Sequence, residues 1–131
     1  MSVEHINPET LAKPSGFAHA TKANGIVHLA GQTAMTADGA IVPGGIVEQF
    51  RQAFTNLLVA LEAAGGTPSD LLSVTIYLTD IPDYQANGKE IGRIWRDLAG
   101  TDYPAMAGIG ITELWQKEAM IEIAGVAAVG V

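Results

Sequence analysis

One acidic side chain stands alone in the most apolar stretch of the chain. The run Ala119-Met120-Ile121-Glu122-Ile123-Ala124-Gly125-Val126-Ala127-Ala128-Val129 carries no other charge. A buried carboxylate is costly unless it is paired, hydrogen-bonded or protonated. A glutamate held in such surroundings has its pKa lifted toward neutrality, and that suits it to relay a proton. The alternative is a solvated position, because antiparallel strands often keep one wet face. The other chemistry-bearing residues form weaker patterns. His5, His19 and His28 are the histidines of the chain, and His19 and His28 could face one another across a hairpin. No H-x-H or H-E-x-x-H spacing accompanies them, so no metal site is expected. No serine lies in a nucleophile elbow and there is no cysteine, which excludes thiol chemistry and argues against an acyl-enzyme. Gly108-Ile109-Gly110 lacks the strand, glycine-rich turn and helix of a phosphate loop. Trp95 reads as a core residue and Trp115 as a loop or interface residue rather than a stacking platform.

The elements that must position Glu122 alternate between strands and helices. Gly25 to Ala30 reads as a strand ending at Gly31. Asp38-Gly39 predicts a hairpin between Thr33–Met35 and Ala40–Val42. Val47, Phe50, Phe54, Leu57, Leu58, Leu61 and Ala64 recur at three- and four-residue steps, which predicts one long amphipathic helix stopped by Gly65-Gly66. Leu71 to Thr79 alternates like a strand. Asp80-Ile81-Pro82-Asp83 starts a second helix that runs to about Leu98, with Tyr84, Ile91, Trp95 and Leu98 on one side. Pro104 to Thr112 and Ala119 to Val129 are two further strands. The expected fold is α/β in the α+β sense, one mixed sheet with two helices packed on one face. Residues 1–131 read as a single domain.

Composition narrows the partners. Hydrophobic residues make up 48% of the 131 and charged ones only 16%. That is a low charge density for a small soluble monomer. Part of the apolar surface is therefore expected to be covered by further copies of the chain in a closed symmetric assembly. The net charge is −7, and the seven Lys and Arg are scattered. This argues against nucleic acid, which needs a basic patch, and against an anionic membrane surface. No apolar run approaches the roughly 20 residues of a membrane span. With no signal-like start and no cysteine, a cytoplasmic location is expected.

An ordered set of short motifs carries a family resemblance. Ala30-Gly31-Gln32 closes an early strand, and Gln49 opens the first helix. Glu62-Ala63-Ala64-Gly65 ends that helix, and Asp70-Leu71 begins the next strand. Thr79-Asp80-Ile81-Pro82-Asp83-Tyr84, Tyr103-Pro104-Ala105 and Ile121-Glu122-Ile123 follow in order. In this the chain resembles the Rid family, the reactive-intermediate deaminases of the YjgF type, also labelled L-PSP endoribonucleases. The resemblance implies a chorismate-mutase-like fold and a homotrimer with a small-molecule cleft at each subunit interface. It implies hydrolysis of imines and enamines with release of ammonia, without metal or organic cofactor. It assigns Glu122 to orienting the attacking water as the catalytic acid. Phe17, Gly31, Met106, Ala107, Tyr84 and Asn87 are the substrate-binding candidates.

Three of those positions depart from the family pattern. The deaminating branches carry, after Pro-Ala, an arginine that grips the substrate carboxylate; here it is Met106. Removing one member of such a pair typically costs about 2–5 kcal/mol. A thioether cannot replace a guanidinium, because it is a weak acceptor and an apolar filler. Phe17 keeps the ring of a common tyrosine and loses its hydroxyl. The polar residue on the second helix falls at Asn87-Gly88, where Gly88 aligns best. The chain thus keeps the water-handling half of the site and lacks the carboxylate-gripping half. An uncharged imine or enamine is the expected substrate. A non-catalytic trimer that binds a small metabolite or a partner protein is the alternative, and RNA cleavage a third.

Overall fold

The computed structural model describes residues 2–130. Six strands form one mixed sheet: β1 (Glu4–Ile6), β2 (Ala20–Ala23), β3 (Ile26–Gln32), β4 (Leu71–Leu78), β5 (Ala105–Gly110) and β6 (Ile121–Ala128). Their spatial order is β1-β2-β3-β6-β4-β5. Only β4 and β5 run parallel; every other neighbouring pair is antiparallel. Among the described residues three α-helices complete the fold, α1 (Ile46–Ala63), α2 (Ile81–Ala86) and α3 (Gly88–Ala99), with one 3-10 turn at Pro68–Asp70 before β4.

The long helix forms as its apolar spacing dictates. Gly45 precedes α1, and its N–H donates to Glu48 Oε1 at 2.7 Å, which satisfies one orphan donor of the first turn. At the far end Gly65 takes a φ of +92°. Gly65 N–H reaches the Glu62 carbonyl at 2.9 Å and Gly66 N–H reaches Leu61 at 3.0 Å. This double closure is a Schellman stop, and the positive φ is why a glycine stands there. Phe50, Phe54, Leu57 and Leu61 bury one face of α1 against Val27 and Leu29 of β3 and Ile121, Ile123 and Ala127 of β6. Trp95 of α3 stacks on Phe54 at 4.2 Å, and Tyr84 of α2 meets Phe50 edge-on at 6.4 Å.

Some expectations need correction. The second helix is not continuous; it breaks at Asn87 into α2 and α3, so three helices rather than two lie beside the sheet. Asn87 donates its side-chain amide to the Asp83 carbonyl at 2.9 Å. A side chain that competes with the backbone in this way interrupts a helix, and Gly88 adds its low propensity. The start agrees with expectation: the Asp80 carboxylate caps the Asp83 N–H at 3.1 Å. The early strand runs two residues past Ala30 to Gln32 through a register shift. The expected hairpin at 33–42 reduces to a single bridge, Met35 to Ile41. Strands β1 and β2 had no periodic signal because they span three and four residues.

The sheet has unequal faces. On β6, Ile121, Ile123, Gly125 and Ala127 are buried toward the helices, while Glu122, Ala124, Val126 and Ala128 alternate onto the other face, where they are half-buried. Ser73, Thr75 and Tyr77 of β4 share that second face. All six residues of the edge strand β5 are exposed. Among the described residues, no helix is long and apolar enough to cross a membrane.

Candidate functional site

The site is built where β3 loses register. The ladder to β6 shifts between Leu29 and Gln32, which sets Ala30 and Gly31 outside the regular pairing. Glu122, near the start of β6, fills the space so released. Its carboxylate lies directly over the Gly31 backbone, so a Cβ added at Gly31 would sit 2.7 Å from Glu122 Cδ and 2.9 Å from Cγ. The absence of a side chain at Gly31 is what lets the carboxylate approach so closely. Both residues line a cavity of about 540 Å³, within the range of small-molecule sites, roughly 300–1,000 Å³. Its walls come from the 11–19 segment, the end of β3, Thr33 and Met35, Asn56 of α1, and Trp115 and Gln116.

Partial burial lifts the Glu122 pKa above the ordinary glutamate value, and desolvation is its cause. The acid therefore has its proton exchange moved toward neutral pH. The other candidate base at the cavity is His19, and its ring is committed. Nε2 lies 2.7 Å from the Ala12 carbonyl, and Nδ1 lies 2.9 Å from Gln32 Nε2. A carbonyl can only accept, so the ring proton sits on Nε2 and Nδ1 accepts from the Gln32 amide. His19 is buried, and its role is to fasten the 11–19 segment to the end of β3. It does not face His28, which is exposed opposite Thr21. Among the described residues no three His, Asp or Glu side chains are grouped as metal ligands.

Asn56 holds the opposite wall. It is 4% exposed, and its amide donates to the carbonyls of Thr33 at 3.2 Å and Met35 at 2.8 Å. Replacing Asn56 by alanine leaves those acceptors without a donor. The expected loss is about 1–3 kcal/mol of stability, read as a lower urea midpoint at unchanged slope.

The structure brings together Phe17, Gly31 and Glu122 of the sequence-derived candidates. It does not bring Met106, Ala107, Tyr84 or Asn87 into the same cavity of one chain. Met106 and Ala107 lie on β5, separated from β6 by β4. The register pairs Met106 with Val74, on the helix side, and Ala107 with Thr75, on the open side. Met106 is 48% exposed at this edge. Tyr84 packs on the core, where burial pushes its hydroxyl pKa up. Asn87 is spent on the helix break. Sequence reasoning missed Lys13, Asn56 and Gln116 as lining residues. Asn56 had a signal, an amide between the apolar positions Phe54 and Leu57. Lys13 and Gln116 had none, since loop positions carry no periodicity.

The family model described as Endoribonuclease L-PSP matches residues 8–129. The chain is 33% identical over 126 residues to a RutC family protein of Pyrococcus horikoshii, covering 95% of this chain and 96% of that one. It is 30% identical over 132 residues to the 2-iminobutanoate/2-iminopropanoate deaminase of Dermatophagoides farinae, covering 98% and 99%. The crystal structure of YyfA from Yersinia pestis, a protein of the conserved Rid family, superposes with a TM-score of 0.86 at 28% identity, covering 98% and 100%. A family model matched over residues 8–129 and relatives of 30% identity or more over nearly the whole chain show that the chain belongs to the endoribonuclease L-PSP family, the family of the Rid and YjgF proteins.

Proposed function

We propose that the protein hydrolyses a small uncharged imine or enamine, releasing ammonia, in a cleft completed by a neighbouring copy. The observation that carries this reading is Glu122, half-buried over Gly31 in a small-molecule cavity with its pKa raised. An enamine first tautomerises to its imine. Ionised Glu122 takes a proton from water as the water oxygen bonds to the C=N carbon. That proton passes to nitrogen and completes the carbinolamine. Glu122 then takes the carbinolamine hydroxyl proton and delivers it to nitrogen as the C–N bond breaks and the C=O bond forms, so ammonia and a carbonyl compound leave. Backbone amides beside Gly31 suit the developing charge. The relative from Dermatophagoides farinae, named as a deaminase of 2-imino acids, supports the reaction class.

The substrate's charge is the point of departure. Met106 stands where the deaminating branches hold their arginine, so a carboxylate finds no guanidinium to grip it. The exposed β5 strand and the helix-free sheet face support a closed assembly, proposed as a homotrimer, in which Met106 and Ala107 of one copy approach the cavity of the next. Light scattering is expected to return three times the 13.7 kDa chain mass; a monomer removes the composite cleft. The net charge of −7 speaks against RNA as substrate, despite the endoribonuclease name of the family.

Ammonia release from imines generated in place, in matched pairs with and without a carboxylate, tests the reading. The uncharged member is expected to be hydrolysed and the carboxylated one to lag. Hydrolysis of neither sinks the enzyme reading. Saturable binding without product then favours a non-catalytic metabolite-binding trimer, the reading that the missing arginine and the missing Phe17 hydroxyl support.

A further inference from the structure

Trp115 is 93% exposed. Single exposed apolar side chains are ordinary on protein surfaces, but three observations set this one apart. First, it lines the same cavity as Glu122 and Phe17. Second, the loop that carries it is tied down. Gln116 accepts from the Thr33 hydroxyl at 3.0 Å, and the buried Gln49 donates to the Glu118 carbonyl at 3.1 Å and accepts from the Met120 N–H at 2.8 Å. The indole is therefore presented by an anchored loop. Third, Phe17 is braced edge-on against the buried His19 ring, 5.4 Å between centroids, yet stays 55% exposed. Two aromatic rings thus belong to one cavity, Phe17 braced and Trp115 carried on an anchored loop, and among the described residues Trp115 has no aromatic partner.

The charges around the cavity discriminate against anions. Lys13 is the cation that lines it, and it is exposed, so its pairing with a carboxylate is worth little. Glu122 is the other charged group of the lining, and it repels an anion when ionised. We infer that the cavity selects uncharged imines or enamines bearing a planar aromatic or conjugated group, with Trp115 setting that preference by stacking on it. The inference rests on the cleft reading above and narrows its substrate class. Trp115 lies in the loop between β5 and β6, as its sequence context predicts; the inference revises only the reading that it is not a stacking platform.

The test measures binding, not turnover, so the two readings fail separately. The probes are cinnamamide, which is planar, aromatic, neutral and inert to this hydrolysis; crotonamide, which lacks the ring; and cinnamate, which adds the charge. Affinities are read by calorimetry on the intact assembly, and Trp115 emission is read in a Trp95→Phe background. Wild-type protein is expected to bind cinnamamide at least tenfold more tightly than crotonamide, and more tightly than cinnamate, with a blue shift of the Trp115 emission. Trp115→Ala is expected to lower the cinnamamide-to-crotonamide affinity ratio about tenfold, or about 1.4 kcal/mol, near the upper end for one aromatic pair. Trp115→Phe is expected to restore part of that ratio. Equal wild-type affinities for the two amides overturn the inference, as does a preference that survives Trp115→Ala. An indole already shielded from acrylamide in the unliganded protein also overturns it, because a neighbouring copy then occupies the place assigned to the ligand.

Discussion

Glu122→Gln is expected to lower imine hydrolysis by about 10²- to 10⁴-fold, the usual contribution of a positioned general acid–base group. Glutamine keeps the size and shape of the side chain over Gly31 and removes the only atom set in it that can take a proton from water. Binding of neutral ligands is expected to survive. The loss should therefore fall on kcat, and steady-state kinetics on a neutral imine checks the split. The pH profile adds a second check. Burial raises the Glu122 pKa, so the acid limb of the wild-type rate lies above the ordinary glutamate range, and the variant lacks that limb.

The same shift sets the sign of a stability effect. A carboxyl whose pKa is higher folded than unfolded gives the native state more bound protons between those two values. Stability then falls as pH rises from the unfolded value through the folded one, because the anion is less well solvated in the fold. Glu122→Gln is expected to match the wild type below the unfolded pKa and to be the more stable protein at neutral pH. Urea unfolding at the two pH values measures the difference. A wild-type curve that tracks the variant at both would mean that Glu122 is as well hydrated folded as unfolded.

Gly31→Ala is expected to cost about 10²-fold in kcat/KM, a loss typical of displacing a catalytic group by about 1 Å, while stability changes by no more than about 1 kcal/mol. The added Cβ meets the Glu122 side chain at 2.7 and 2.9 Å. Those atoms are Cδ and Cγ of one flexible side chain and include no backbone, so the carboxylate swings aside by side-chain rotation and the backbone stays in place. The cost thus appears in catalysis, not in folding. The double variant with Glu122→Gln provides the decisive comparison. Both changes act on one group, so the pair is expected to be no slower than Glu122→Gln alone. Fully additive losses would place the Gly31 effect elsewhere.

Local chemistry made much of this protein legible in its sequence. The spacing of Phe50, Phe54, Leu57 and Leu61 determined a helix with one buried face, and Gly65 determined where it stops. The alternation on Leu71–Leu78 determined a strand with unlike faces, and the apolar run at Ile121–Ala128 determined a second strand, whose half-buried face only the structure shows. Ile121-Glu122-Ile123 singled out the acid, because a lone charge in an apolar run breaks the pattern around it. Asn87 was read as part of a continuous helix, since a side-chain bond to the backbone leaves no periodic trace.

Contacts between segments distant in sequence were decided only in three dimensions. Gly31 and Glu122 are 91 positions apart in number, and only the register shift in β3 lays one over the other. The commitment of both His19 nitrogens, the grip of Asn56 on the 33–35 turn and the anchoring of the Trp115 loop by Gln49 are of the same kind. So is the separation of Met106 and Ala107 from the cavity of their own chain by the width of β4. Periodicity records which side of an element meets the core. It does not record which loop closes over which strand end, because that depends on packing between elements whose relative placement no local pattern encodes.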